Sequence, residues 1–403
     1  MTPKEYIQKL KDQGIEKAKV QAITTVSGPL LVIAGPGSGK TMTLVERVVY
    51  LVLSGVEPKS IMVSTFTEKA AKELITRVSN RLLELNLKVN LNEMYIGTLH
   101  SIFLRFLEEF REHTRLRRNY RVLDDFDQQY FIYRNLNEYL EIEGVEILVG
   151  NHLVPRWDKC QSIIYYVSKV REECLDEDKL ILSDDEGIRA IGFVSKLYGI
   201  QLGEENALDF STIQTEALHL LESNTEIREK LQKSIQYIMV DEFQDTNTIQ
   251  ERILLKLSEM YRNICVVGDD DQGLYRFRGA TVRNILEFPD NFFDKECKQI
   301  SLSTNYRSHP GIIDFYNNWM YIGDWKENGK NFRYPKTIIP QKKKFPDYPS
   351  VVKVSSDGDQ MDYFEEVFEF ITGLEEKGII TDRNQIAFLF RSVKNDNVIE
   401  LAN

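Results

Sequence analysis

Over the first 110 residues, short apolar runs alternate with longer stretches in which apolar positions recur at helical spacing. The runs at residues 30–34, 61–65 and 95–97 predict strands, and the periodic stretches at 40–53, 68–85 and 99–110 predict helices. Such alternation predicts βαβ units, and therefore a parallel sheet with helices on both faces. Ligands of these sheets bind at the carboxyl ends of the strands.

From residue 111 to 196 the strand signal disappears. This segment is charged and aromatic, with helices predicted at 125–139 and 163–173, and it reads as a helical insertion. Strands return at 237–240, 264–267 and 299–302. Residues 328–350, rich in Pro, Lys and Asn, read as loop. Residues 351–354 and 385–390 then predict strands of another sheet, with a helix near 362–374 between them. The sequence contains no internal repeat.

Length and composition narrow the class. A chain of 403 residues exceeds one ordinary core, so about two to four domains are expected. Apolar residues at 42% and charged residues at 28% are those of a globular protein, and no apolar run reaches the roughly 18 residues of a membrane span. The first residues lack the apolar core of a secretion signal. Cys160, Cys174, Cys265 and Cys297 have no paired short spacing, which argues against a zinc site or a disulfide framework and fits a reducing cytoplasm. A net charge of −11 gives no bulk attraction to a polyanion, so any nucleic-acid contact must come from a local groove. Arg115, Arg117, Arg118 and Arg121, like Lys342, Lys343 and Lys344, read as solvated charged faces.

Two apolar runs end in phosphate- or metal-seeking groups. After residues 30–33 stand Ala34, Gly35, Pro36, Gly37, Ser38, Gly39, Lys40 and Thr41. The glycines let backbone N–H groups turn toward phosphate oxygens at a helix N-terminus; Lys40 would reach the β- and γ-phosphates, and Thr41 would ligate magnesium. After residues 237–240 stand Asp241 and Glu242. Asp241 is the natural magnesium carboxylate, and Glu242 is placed to polarise the attacking water as general base.

Residues 241–247 (Asp-Glu-Phe-Gln-Asp-Thr-Asn) resemble motif II of superfamily 1 helicases of the UvrD/Rep type. Residues 63–71 resemble motif Ia, 97–101 motif Ib, 267–280 motif III and 305–308 motif IV, all in that family's order. Leu208-Asp209-Phe210 resembles the acidic element where the chain returns from the insertion. The resemblance implies an α/β fold: a RecA-like P-loop NTPase domain with a helical insertion, plus part of a second RecA-like domain. It further implies Gln272 and Arg307 at the γ-phosphate and Tyr306 stacked on adenine. Single-stranded DNA would meet Phe66, Tyr275 and Phe277 through base stacking, and Lys69, Thr98, His100 and Arg278 through its backbone.

The chain departs from the family pattern in places. Lys19 stands where the family carries the glutamine that reads adenine, and Gln21 could substitute only with a shifted register. Met42 replaces an arginine, and Phe277 a tryptophan. The family's last motifs do not occur before Asn403, so the chain reads as the N-terminal portion of a longer protein, with DNA-stimulated ATP hydrolysis weak or absent on its own. The organisation expected is a first RecA-like segment at 1–110, the insertion at 111–196, a second RecA-like segment at 197–288 and part of a second domain at 289–403.

The reading is an ATP- and Mg2+-dependent DNA helicase or translocase, moving 3′ to 5′ on single strands and at single-strand/duplex junctions in DNA repair or replication. One alternative is a translocase or helicase subunit of a nuclease or defence complex. Another is a non-catalytic, nucleotide-gated DNA-binding module.

Overall fold

In the computed structural model, the described residues are 1–274, 280–292, 296–327, 329–341, 350–353, 360–390, 393 and 398–399. Strands β1 (Leu30–Ala34), β2 (Ile61–Thr65), β3 (Tyr95–Thr98), β6 (Tyr237–Val240), β7 (Ile264–Gly268) and β8 (Lys298–Leu302) form one sheet, in the order β3-β2-β6-β7-β1-β8. Every pairing in it is parallel. Two short strands, β4 (Arg121–Val122) and β5 (Ala207–Leu208), pair in parallel across the base of the insertion.

Alternate side chains of each strand feed opposite cores. Leu31, Ile33, Ile238, Val240, Ile264 and Val266 join one core, which is closed by helices Leu99–Glu109, Phe210–Ser223 and Thr248–Ser258. Leu30, Val32, Met239, Cys265 and Val267 join the other, closed by Lys40–Leu53 and Glu68–Glu84. Burial on both faces is what makes these strands continuous apolar runs.

The insertion has its own core, drawn from residues between Leu123 and Ala207. Helix Glu186–Glu204 runs unbroken through position 196, so the expected boundary there is wrong. The boundary expected at 288 is also wrong. Strand β8 pairs with β1 residue for residue, so the compact unit holding the sheet comprises Met1–Ser308 and Asn317–Lys343.

The second unit comprises His309–Tyr316 and Lys344–Asn403. The helix expected there forms as Gln360–Glu376. The strands expected at 351–354 and 385–390 do not form among the described residues, where Val351, Val352, Phe388 and Leu389 are exposed and no strand pairs with them. A strand exists only with a hydrogen-bonded neighbour. Lys342, Lys343, Lys344 and Val354 lie outside the described residues.

Asp209 ties the insertion to the sheet domain. Its fully buried carboxylate accepts from Gln128 Nε2 and Tyr198 Oη, both at 2.7 Å, and stands 3.7 Å from Arg171 Nη1. Its other oxygen accepts from Thr212 N at 2.6 Å, capping helix Phe210–Ser223. Burial opposes the charge, but Arg171 and the hydrogen bonds from Tyr198 and Thr212 hold the carboxyl below its ordinary range. A lowered pKa in the folded state adds stability above the unfolded carboxylate's value of about 4, and that stability is lost as pH falls below it. Asp209→Ala is expected to cost about 3–5 kcal/mol in urea unfolding at pH 7, because Arg171 is left buried without its partner. An unchanged midpoint would contradict this role.

Candidate functional site

The carboxyl ends of β1, β6 and β7 converge on one site. Behind β1, residues 35–39 turn into helix Lys40–Leu53, whose N-cap Gly39 is left-handed at φ +87° with no side-chain cap. Gly37 is also left-handed, at φ +64°, and a Cβ there would meet Asn305 Nδ2 at 2.7 Å. A Cβ at Gly35 would collide with Ile338 Cδ1. Glycine is favoured at Gly37 and Gly39 by their left-handed backbone and at Gly35 by the close approach of Ile338, and the first-turn N–H groups of the helix are left without intrahelical partners. That is an anion cradle.

Strand β6 brings the acidic residues to it. Glu242 Oε2 accepts from Lys40 Nζ at 2.6 Å and from Gln244 Nε2 at 2.9 Å. Glu242 is left-handed at φ +51° without being glycine, a strained conformation of the kind that collects at functional sites. Asp241 is buried; burial, with Glu242 beside it, pushes its carboxyl up to about 7 against the opposing pull of Lys40. Asp245 rises to about 6 for the same reasons in the same order. Ser38 Oγ, Ser64 Oγ and Asp245 Oδ1 are buried without a hydrogen-bond partner among the described residues. Surplus carboxylate, orphaned oxygens and a single lysine fit a phosphate group with a divalent cation, and Thr41 and Asp241 are the residues that would hold the cation.

Strand β7 supplies the third wall. Asp269 N donates to Gln244 Oε1 at 2.9 Å, and Asp269 Oδ2 accepts from Gln272 Nε2 at 2.5 Å. The fourth wall is β9 (Thr304–Asn305): Asn305 Nδ2 donates to Pro36 O at 2.6 Å, and Tyr306 N to Gly37 O at 3.0 Å. Tyr306 and Arg307 are thereby held beside the cradle, both exposed. Lys19 Nζ lies 3.6 Å from the Tyr306 ring centroid, and burial lowers its pKa. Gln21 is exposed on helix Lys17–Thr24, whereas Lys19 is buried with Val20, Ala22 and Ile23.

Of the expected nucleic-acid residues, Phe66, Lys69, Thr98 and His100 lie farther along the same sheet edge, at or behind the ends of β2 and β3. Phe66 is half-buried and Lys69 exposed. Thr98 has a committed hydroxyl, which donates to Glu68 Oε1 at 2.9 Å and accepts from Ser101 N at 3.2 Å as a helix cap. His100 is driven down to about 4 by burial, Asp209 opposing, so at neutral pH it is an uncharged ring. It packs edge-on against Phe210 at 5.5 Å, and Phe210 is 48% exposed. Phe210, which the sequence shows only as part of the acidic element at 208–210, thus presents an exposed aromatic face beside His100. Tyr275, Phe277 and Arg278 lie outside the described residues.

A sequence profile for the UvrD/REP helicase N-terminal domain matches residues 15–293, which hold all four walls but β9. The chain belongs to the UvrD/REP helicase family. Its curated relatives include the ATP-dependent DNA helicase PcrA of Staphylococcus epidermidis, 34% identical over 307 residues, covering 76% of this chain and 40% of that protein. PcrA of Bacillus subtilis is 33% identical over 310 residues, covering 76% and 39%, and that of Staphylococcus aureus 33% over 299, covering 74% and 38%. The chain thus spans about two-fifths of the length of these relatives. Motifs II and III of this UvrD/REP helicase domain are joined through Gln244, and motif IV is bonded to the P-loop backbone.

Gly37→Ala tests the cradle. A left-handed alanine, pressed also against Asn305, is expected to lower stability by about 1–3 kcal/mol in urea unfolding. An unaltered midpoint would mean that Gly37 is not held left-handed.

Proposed function

We propose that this chain is the nucleotide-hydrolysing part of an ATP-dependent DNA helicase that moves 3′ to 5′ along single-stranded DNA, acting at single-strand/duplex junctions. The observation that carries the proposal is the Lys40–Glu242 ion pair, 2.6 Å long, at the mouth of a glycine cradle. It unites a phosphate-seeking cation with a carboxylate suited to general-base work. The names of the PcrA relatives support ATP and DNA as the ligands.

The chemistry follows from the walls of the site. Lys40 bonds Glu242 with one of its three N–H donors, which leaves donors for a phosphate oxygen at the cradle. Glu242 then takes the proton of the attacking water, its carboxylate steered by the Gln244 amide. Thr41 and Asp241 would hold magnesium, which when bound offsets charge on the phosphate oxygens. Gln272 from β7 and Arg307 from β9 complete the γ-phosphate end, and Tyr306 offers a ring face to the base. Phe66 and Lys69 supply stacking and charge for a single strand, and Phe210 joins them as a further stacking face.

Two outcomes test this reading. Glu242→Gln is expected to bind Mg·ATP within about threefold of wild type while hydrolysis falls about a hundredfold or more; turnover near wild type would sink the base assignment. Phe66→Ala is expected to weaken binding of a single-stranded oligonucleotide by about 1–3 kcal/mol, measured by fluorescence anisotropy. Unchanged affinity would remove Phe66 from the strand-binding surface.

A further inference from the structure

The segment from Arg333 to Gln341 contains one of the most buried charge clusters in the molecule. Lys336 Nζ bonds Asp269 Oδ1 at 2.6 Å, Asp271 Oδ2 at 3.0 Å and also Asp270 Oδ1. Arg333 forks onto Asp271 at 2.8 and 3.0 Å, and Tyr334 N donates to Asp270 Oδ2 at 2.7 Å. The Lys336 side chain is 3% exposed. Two cations and one backbone N–H therefore hold three consecutive carboxylates in the turn that carries Gln272.

The same segment continues to the opposite wall. Ile338 exchanges backbone bonds with the Asn317 side chain at 3.0 and 2.9 Å, and its Cδ1 abuts Gly35. Ile339 N donates to Ser303 O and Gln341 N to Asn305 O, both at 2.8 Å, which lays residues 339–340 beside β9. One strap of nine residues thus touches the Gln272 turn, the cradle and the strand that carries Tyr306 and Arg307.

We infer that Arg333 and Lys336 are positioning residues for nucleotide hydrolysis, Lys336 acting through Asp269 and Arg333 by fixing the neighbouring Asp271 in the same turn, so as to orient Gln272 and, by way of Gln244, Glu242. This rests on the proposed hydrolytic function. The path is continuous: Lys336 to Asp269 at 2.6 Å, Asp269 N to Gln244 at 2.9 Å, and Gln244 to Glu242 at 2.9 Å. Without Lys336, three adjacent carboxylates repel one another in a buried turn, and the turn must open. Gln272 then loses the acceptor that orients it, and Gln244 loses the N–H that aims its amide at Glu242. Nucleotide binding does not use this path, because the cradle is built by glycines and Lys40.

The test is a set of variants of the full chain, each assayed for Mg·ATP binding by titration with a fluorescent ATP analogue and for single-turnover hydrolysis. Lys336→Ala is expected to bind within threefold of wild type and to hydrolyse at least tenfold more slowly, with Lys336→Arg restoring the rate to within threefold. Combined with Gln272→Ala, it is expected to add less than its own full loss, since part of its effect runs through Gln272 and only the rest through Gln244 to Glu242. A scaffolding role would instead lower binding and hydrolysis together, and its loss would multiply that of Gln272→Ala. Either that pattern or a wild-type rate in Lys336→Ala overturns the inference. If Lys336→Ala shows no cooperative thermal transition, Arg333→Lys carries the test: it keeps the charge, loses the fork, and is expected to slow hydrolysis at least threefold at unchanged affinity. A wild-type rate there overturns the inference too. Absence of any hydrolysis by the wild-type chain would overturn the proposed function and this inference with it, whereas intact hydrolysis with insensitive variants overturns the inference alone.

Discussion

The ion pair between Lys40 and Glu242 joins residues 202 positions apart in the chain. Closing it requires β1 and β6 to end on the same edge of the sheet with one strand, β7, between them. A parallel sheet does this because every strand leaves its carboxyl end on one side. The helical insertion must therefore leave and return without disturbing that order, which the β4–β5 pair and the buried Asp209 accomplish. Much of the remaining architecture serves the same end: two cores grip the sheet from opposite faces and fix the height at which Lys40 and Glu242 meet.

The site itself is held against local preference. Glu242 is left-handed, Asp241 and Asp245 are buried carboxylates pushed upward, and three polar atoms lack partners. Each costs stability, and together they prepare the site for a triphosphate and a cation that would repair the imbalance. The net charge of −11 is no obstacle to a polyanionic ligand at such a place. In the insertion, Arg121 is already paired with Glu205 and Arg115 with Glu216.

What the sequence disclosed was what is local. Strands buried on both faces read as apolar runs, and β1, β2 and β6 fall where those runs were placed. The cradle was legible because its glycines, Lys40 and Thr41 are contiguous. The strap was not: residues 328–350 read as loop because Arg333 and Lys336 meet their carboxylates about 65 residues away in sequence. The boundary at 196 failed because helix Glu186–Glu204 has a weak apolar stripe, and the strands at 351–354 and 385–390 failed because an apolar run predicts exposure or pairing equally well. The glutamine position held Lys19, but only the fold showed it buried against Tyr306.

The central claim is that Lys40 is held by Glu242 in readiness for a triphosphate. Equilibrium titration of Mg·ATP into wild type and Lys40→Ala tests it most directly. The account predicts saturable binding by wild type and affinity at least about tenfold weaker in the variant, the loss of one charge-assisted bond. Equal affinities, or no saturable binding by wild type, would contradict it.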